Sequence, residues 1–403
     1  MKILKDSASY LFGELFAKAL PFLLLPYLTR KLGAAGFGEM SYYQTILSLC
    51  ALAFGLSQDG ALARYFYFYG KRNMPNVMVT GYLYTFTLTA ISLLFAWYQQ
   101  SWILAIVILA ASSQTLLGTQ LAWRQCQKRA FAYTLIQIGS GALGAVLTIV
   151  LLEWMSNQMI LWRFMALLLA NAVVVCVAYG LTRHEARPRL SWRKCQLSAR
   201  YIFAFGLPLL LHHASGFIKG QLDRILIYQQ YSAEQLGVYA AALQIASILS
   251  VLLMSVNKAT IPYYYQSLKK GSLNSTKVRK YALTSLLIAP MPAGFAFMLP
   301  EKFITWLLGA GYVGTHHYLC LFLLGFGLTI PYFLLVNYLF YYGKNKLIAS
   351  ISLLSTGAYL IALFTANQFG LKWIPLAMIT GNIAILPILY YFVRDSRHVS
   401  INH

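Results

Sequence analysis

The sequence predicts an all-α polytopic membrane protein of about twelve transmembrane helices, arranged as two sets of six. Three observations carry that prediction. Apolar segments of roughly 20 residues recur from end to end of the chain, each long enough to cross a hydrocarbon core of about 30 Å. Only 10% of residues are charged, yet the formal net charge is +22, and the basic residues collect in every second gap between apolar segments. The longest polar stretch, 182–200, stands near the middle and has six apolar segments on either side. The division expected from it is an N-terminal bundle over 1–181, a cytoplasmic linker over 182–199 and a C-terminal bundle over 200–403.

Taken in order, the first span (9–29) carries Glu14 and Lys18 four residues apart, then Pro21 and Pro26. It has no small-residue cleavage site, so it reads as a span and not as a signal peptide. The second (40–66) holds Asp59 deep and Arg64 near its end. The third (76–98) and fourth (101–124) meet between Trp97 and Trp102, and the fourth bears Ser113, Gln120 and Arg124 on one stripe. The fifth (130–152) and sixth (160–181) meet between Trp154 and Trp162. After the linker, the seventh (200–228) opens on Gly206 and Pro208. It carries His212, Lys219 and Asp223 on one face, with His213 and Arg224 on the next. The eighth (237–262) aligns Gln244, Ser247, Ser255 and Lys258. The ninth (281–300) follows a basic loop, and the tenth (313–342) is loosened by Gly325, Gly327 and Pro331. The eleventh (346–367) and twelfth (371–393) close the chain around Trp373. Gly and Pro at such places mark kinks, or backbone that lines a wet cavity.

Charge also orients the chain. With the N-terminus cytoplasmic, about three-quarters of the 32 Lys and Arg residues fall on the cytoplasmic side. That is the positive-inside bias, and it places both termini in the cytoplasm. Trp97, Trp102, Trp154, Trp162, Trp306 and Trp373 fall at the opposite connections, where indole rings favour the headgroup zone. The basic clusters are short and juxtamembrane, without the long basic face of a duplex binder, so nucleic acid is not an expected partner. Five cysteines in spans or cytoplasmic loops, with no CxxC spacing, support neither a disulfide framework nor a zinc site. The adjacent pairs His212–His213 and His316–His317 diverge by about 100° on a helix, a poor geometry for metal. No nucleotide-binding, metalloprotease or serine-hydrolase motif is present, so no metal, cofactor or catalytic residue is expected.

Ionisable groups inside apolar spans are costly to bury and point to function. Two readings stand for them. Glu14–Lys18 and Lys219–Asp223 serve either as neutralising pairs one turn apart or as separate functional charges. Arg64, Arg124 and Lys258 either snorkel to the interface or face the interior. Basic residues concentrate on spans one, two, seven and eight, equivalent places in the two halves. A cationic, water-filled cleft between the bundles explains that placement and suits an anionic substrate. A faint echo supports a parallel repeat: at an offset of 199 residues, Gly33–Gly38 overlays Ser232–Gly237, with Ala34 on Ala233 and Gly38 on Gly237.

Three runs carry a family resemblance: Gly206-Leu207-Pro208, then Asp223-Arg224-Ile225-Leu226-Ile227, then Gly237-Val238-Tyr239-Ala240-Ala241. Together with Leu28–Gly33 and Gly36-Phe37-Gly38 in the first half, they resemble bacterial polysaccharide transporters. The chain is similar to the Wzx-type O-antigen flippases, in the polysaccharide transporter branch of the multidrug/oligosaccharidyl-lipid/polysaccharide exporter superfamily. The resemblance implies two six-helix bundles around a central cavity that opens alternately to each face. It implies a substrate too: an oligosaccharide on undecaprenyl pyrophosphate, moved from the cytoplasmic to the periplasmic leaflet of the bacterial inner membrane. Lys18, Arg30, Arg64, Lys219, Arg224 and Lys258 are the candidate cations for the pyrophosphate. Glu14, Asp59 and Asp223 are candidates for counter-charge or for coupling to a proton or sodium gradient. The lipid bilayer and other polysaccharide-assembly proteins are the remaining expected partners. An O-antigen polymerase-type membrane enzyme is the alternative of a different class, against which the short outer connections argue. A solute or drug antiporter is another. The Gly-Asp-Arg-Gly-Arg loop of small-solute facilitators is replaced here by Tyr69-Gly70-Lys71-Arg72-Asn73.

Overall fold

A computed structural model describes residues 2–71, 73–182 and 191–393. Arg72, the centre of the polar linker with Arg183, Arg187 and Arg189, and the C-terminal Arg394 and Arg397 lie outside the described residues. So do the side chains of Lys2 and Lys5.

Among the described residues every regular element is a helix. They run α1 (Lys2–Gly55), α2 (Gln58–Tyr69), α3 (Met74–Tyr98), α4 (Trp102–Cys126), α5 (Ala130–Trp154) and α6 (Met159–Thr182). Then follow α7 (Trp192–Gln230), α8 (Ala233–Lys269), α9 (Ser275–Ile288), α10 (Met291–Met298) and α11 (Glu301–Leu308). The last are α12 (Thr315–Gly327), α13 (Thr329–Tyr341), α14 (Asn345–Phe369) and α15 (Leu376–Phe392). Among the described residues, eleven helical stretches are long and apolar enough to cross a membrane. The first, Gly13–Tyr69, has 57 residues. At 1.5 Å per residue it would run about 86 Å, nearly three hydrocarbon thicknesses, so it is not one crossing. Its backbone leaves helical geometry at Gly33 (φ 68°, ψ 177°), a conformation that glycine adopts without strain. Pro21 and Pro26 lie within α1 without such a departure. Two crossings here and ten elsewhere give the twelve expected.

Two further breaks differ in kind. Leu56 and Ser57 both take positive φ (40° and 52°) and separate α1 from α2. Asp59 therefore stands in the first turn of a new helix, exposed, where the helix dipole favours a carboxylate. The tenth span divides into α12 and α13 beside Gly327, whose missing side chain makes room for the Ala289 carbonyl; a Cβ there would lie 2.0 Å from that oxygen.

Contacts divide the chain into two compact units, residues 1–32 with 39–217, and residues 33–38 with 218–403. In the first, α4 and α5 pack against α6, and α2 and α3 against α4. Leu56, Leu62, Met74, Val77, Trp123 and Ile202 form its main core cluster. In the second, α12 packs on α8 and α10, α13 on α9, and α14 on α15, around Leu335, Leu339, Ile351, Leu389 and Val393. Hydroxyl side chains within these helices bond to the preceding turn: Thr45 to Ser41, Thr80 to Asn76, and Thr148 to Gly144. Such local bonds satisfy a polar group without water, as a bilayer requires.

The segment 33–38 belongs to the second unit through a close crossing, beside which the Tyr312 hydroxyl donates to the Gly33 carbonyl at 3.1 Å. A Cβ on Gly38 would lie 1.8 Å from the Ala233 carbonyl oxygen, and one on Gly237 would lie 1.9 Å from that of Ala34. These four residues are the two echo pairs of the sequence. Exchanging each residue for its echo partner turns one contact into the other, so the crossing has a local two-fold.

Candidate functional site

Each unit holds its own set of intramembrane polar groups. In the second unit they gather on α7, α8 and α14. Asp223 on α7 is buried, at 6% exposure. One carboxylate oxygen accepts the Arg224 backbone N–H at 2.9 Å, and the other accepts the hydroxyl of Tyr239 on α8. Tyr359 on α14 is buried and stands beside Asp223. One turn before Asp223, Lys219 does not pair with it. Its ammonium donates to the Ser355 hydroxyl at 3.4 Å, and that hydroxyl donates to the Gly381 carbonyl at 2.8 Å. Arg224 donates Nη1–H to the Gln221 side-chain oxygen at 2.8 Å, while its buried Nε–H has no partner among the described residues. The result is one carboxylate and two cations within two helical turns, compensated by neutral dipoles instead of ion pairs. Charges held this way keep capacity to interact with a further charged group. Lys258, on α8, is exposed.

In the first unit, Lys18 and Glu14 form an ion pair of 2.8 Å, with side chains 39% and 33% exposed. Arg30 is exposed and borders a depression of about 360 Å³ with Pro26, Tyr27 and Lys31. Glu153, at the end of α5, accepts from Lys31 at 2.7 Å and from the Tyr27 hydroxyl at 2.8 Å. Arg64 on α2 is exposed within an aromatic surround. Its guanidinium carbon lies 5.3 Å from the Phe68 ring centre, 5.9 Å from Tyr201 and 6.0 Å from Phe205, within the range of cation–π attraction. It also donates to the Tyr201 hydroxyl at 3.4 Å. Arg124 does not snorkel. It is 2% exposed and donates to the Ala178 carbonyl at 2.9 Å. Arg163 lies inside α6 and donates to the buried Thr148 hydroxyl at 2.7 Å.

The structure thus brings Lys219, Asp223 and Arg224 into one cluster, and pairs Glu14 with Lys18. Arg30, Arg64 and Asp59 stand apart from that pair. Sequence reasoning missed Tyr239, Ser355 and Tyr359, since a Tyr or Ser within an apolar run carries no sign of its partner. The i,i+4 spacing of Ser355 and Tyr359 was the one available hint. It also missed the Glu153 contacts and the Tyr201 and Phe205 rings beside Arg64, which helix crossing creates, and Phe68, which lies one turn from Arg64 on α2.

The sequence model of the family described as "Polysaccharide biosynthesis protein" matches residues 3–268. Two proteins of Haemophilus influenzae are similar along nearly the whole chain. "Lsg locus putative protein 1" is 47% identical over 392 residues, covering 97% of this chain and 98% of that protein. An "Uncharacterized membrane protein" is 46% identical over 395 residues, covering 98% of each. Among solved structures, an inward-facing multidrug resistance MATE family transporter of the MOP superfamily aligns with a TM-score of 0.69 at 16% identity. It covers 94% of this chain and 92% of that one. The Vibrio cholerae MATE transporter VcmN aligns with a TM-score of 0.64 at 14% identity, covering 97% and 96%. At such identities the likeness is one of fold.

Proposed function

This chain belongs to the polysaccharide biosynthesis protein family, and from that premise we propose that it is a flippase for lipid-linked oligosaccharide. Its substrate is an oligosaccharide repeat unit on undecaprenyl pyrophosphate, of the O-antigen type. It is carried from the cytoplasmic to the periplasmic leaflet of the bacterial inner membrane by alternating access. The observation that carries the reading is the set of cations placed within apolar spans, Lys18, Lys219 and Arg224, compensated locally and left able to meet an anion. Sugars and pyrophosphate do not enter hydrocarbon, whereas a polyprenyl tail stays in it. A protein that shields the head group alone is therefore enough. Arg30, Arg64 and Lys258, all exposed, are proposed to meet the head group at other stages of its passage. Asp223, inside the membrane and hydrogen-bonded to neutral donors, is proposed as the group that couples transport to a proton or sodium gradient. Glu14 offsets Lys18 during insertion, and Asp59 supplies counter-charge at the break before α2.

Deletion of the gene tests this. Surface polysaccharide should be lost, and lipid-linked repeat units should accumulate on the cytoplasmic leaflet, inaccessible to enzymes added from the periplasmic side. Units that reach the outer leaflet but stay single would identify a polymerase and defeat the proposal.

A further inference from the structure

The connections of the second unit alternate in character. Those at 270–274 and 343–344 adjoin lysine-rich helix ends, and the three that alternate with them along the chain converge on a pocket of about 970 Å³. Its walls come from the start of α8, from the turn before α12 with His317, and from the 369–373 segment before α15. The size lies at the upper end of small-molecule sites, about 300–1,000 Å³, enough for a short oligosaccharide.

The lining selects the chemistry of the occupant. Glu234 and Lys372 are the carboxylate and the ammonium among its residues and offset one another, so the pocket lacks the excess of cations with which a free anion is collected. The wall is mostly apolar, with a few hydrogen-bonding groups of both signs. The Gln235 side-chain oxygen is committed to the Ser232 N–H at 3.2 Å in a capping box, which leaves its NH2 to donate elsewhere. His317 places Nε2 3.2 Å from the Lys372 carbonyl oxygen, which leaves Nδ1 for another partner. Of the four aromatic residues in the wall, Tyr231, Tyr318, Phe369 and Trp373, two present open rings: Trp373 is half exposed and Phe369 is 77% exposed. A pyranose presents hydroxyls around its rim and weakly positive C–H groups on its faces. The rim suits paired donors and acceptors, and the C–H faces suit the electron-rich face of an indole.

We propose that this pocket is a glycan-binding site, which takes the sugar portion of the substrate, without its pyrophosphate, on the face away from the lysine-rich connections. The proposal rests on the flippase reading. It adds a point at which the arriving sugar is held by its hydroxyls and ring faces before release.

The test uses the full chain in nanodiscs free of sugar-based detergent. The probe is the oligosaccharide released by mild acid from the host strain's lipid-linked units, with binding followed by saturation-transfer NMR. The native protein should bind it, Trp373→Phe should bind nearly as well, and Trp373→Ala should bind at least about tenfold more weakly, about 1.4 kcal/mol. Glu234→Gln, at an exposed first-turn position, should also weaken binding and serves where Trp373→Ala reduces yield. Inorganic phosphate and pyrophosphate should not compete. Equal binding by native protein and both weakening variants, no binding at all, or displacement by pyrophosphate would overturn the site. In any of those cases, a deletion strain that still traps units on the cytoplasmic leaflet would leave the flippase reading standing. A deletion strain with normal leaflet distribution would instead defeat that reading whatever the pocket binds.

Discussion

Two pairs of side chains share the spacing i,i+4 and behave differently. Lys18 meets Glu14 at 2.8 Å, whereas Lys219 turns away from Asp223 to Ser355. Spacing gives reach, but the tertiary surroundings decide: Asp223 is taken by Tyr239 and a backbone N–H, while Glu14 pairs with Lys18 within its own helix. The positions of the candidate charges were therefore legible in the sequence, as was the Glu14–Lys18 pair, whereas the partners of Lys219 and Asp223 were not. Lys18 gives the sharpest test of what such a charge does. If it attracts pyrophosphate, positive charge matters more than shape, although arginine's larger planar head makes it an imperfect substitute. Lys18→Arg should keep most transport. Lys18→Ala should lose at least about tenfold, equivalent to about 1.4 kcal/mol in the barrier, at normal membrane levels. Because Lys18→Ala removes the ammonium that meets Glu14, the double variant Glu14→Ala with Lys18→Ala separates stability from transport. It should insert normally and remain inactive in the leaflet assay. Full complementation by that neutral double variant would mean the pair serves insertion only.

At the scale of elements, the apolar spans announced the helices, and the polar breaks were harder to read. Gly325, Gly327 and Pro331 signalled a loosened span, and the chain does divide there, between α12 and α13. Nothing in Leu56-Ser57 signals a break, since neither residue favours positive φ; packing imposes it. The echo of Gly33–Gly38 in Ser232–Gly237 was visible as a few identities, but its cause is a contact that sequence does not display. At Gly38 and Gly237 the helix backbones approach until a side chain has no room, and each glycine faces a carbonyl oxygen that cannot yield as a flexible side chain would. Gly38→Ala or Gly237→Ala should therefore force the crossing apart, at a cost of about 1–3 kcal/mol or more. Gly357, within α14, is the control. It has no atom within 4 Å of an added Cβ, so Gly357→Ala should be neutral or stabilising by about 0.5–1 kcal/mol from helix propensity. Thermal unfolding in detergent, followed by tryptophan fluorescence, measures both. If Gly38→Ala melts where Gly357→Ala does, the crossing is not closely packed in the membrane and its two-fold has no mechanical meaning.

For the whole molecule, the count of crossings fixes more than any single residue. Among the described residues eleven stretches are apolar enough to cross, the first long enough for two passes; twelve passes, an even number, would put both ends of the chain on one side. Charge then chooses the side. Lys269, Lys270, Lys277, Arg279, Lys280, Lys344 and Lys346 border connections that share a face, and short basic connections stay in the cytoplasm. The opposite connections of the second unit hold Glu301 and only scattered lysines. There Glu301 accepts the Gly314 N–H and ties the segment together instead of advertising charge. Both termini and the 182–199 segment should thus be cytoplasmic, with the connection around Gly314 periplasmic. Alkaline phosphatase, active only in the periplasm, and a fluorescent protein, active in the cytoplasm, report this when fused at Arg189, Gly314 and His403. Fluorescence is expected at Arg189 and His403, and phosphatase activity at Gly314. Phosphatase activity at His403 with fluorescence at Arg189 would mean an odd number of passes after the linker and a lost crossing in the second half. Phosphatase activity at both would invert the molecule. The lysine-rich connections would then face the periplasm, and the glycan pocket would stand where substrate enters and not where it leaves.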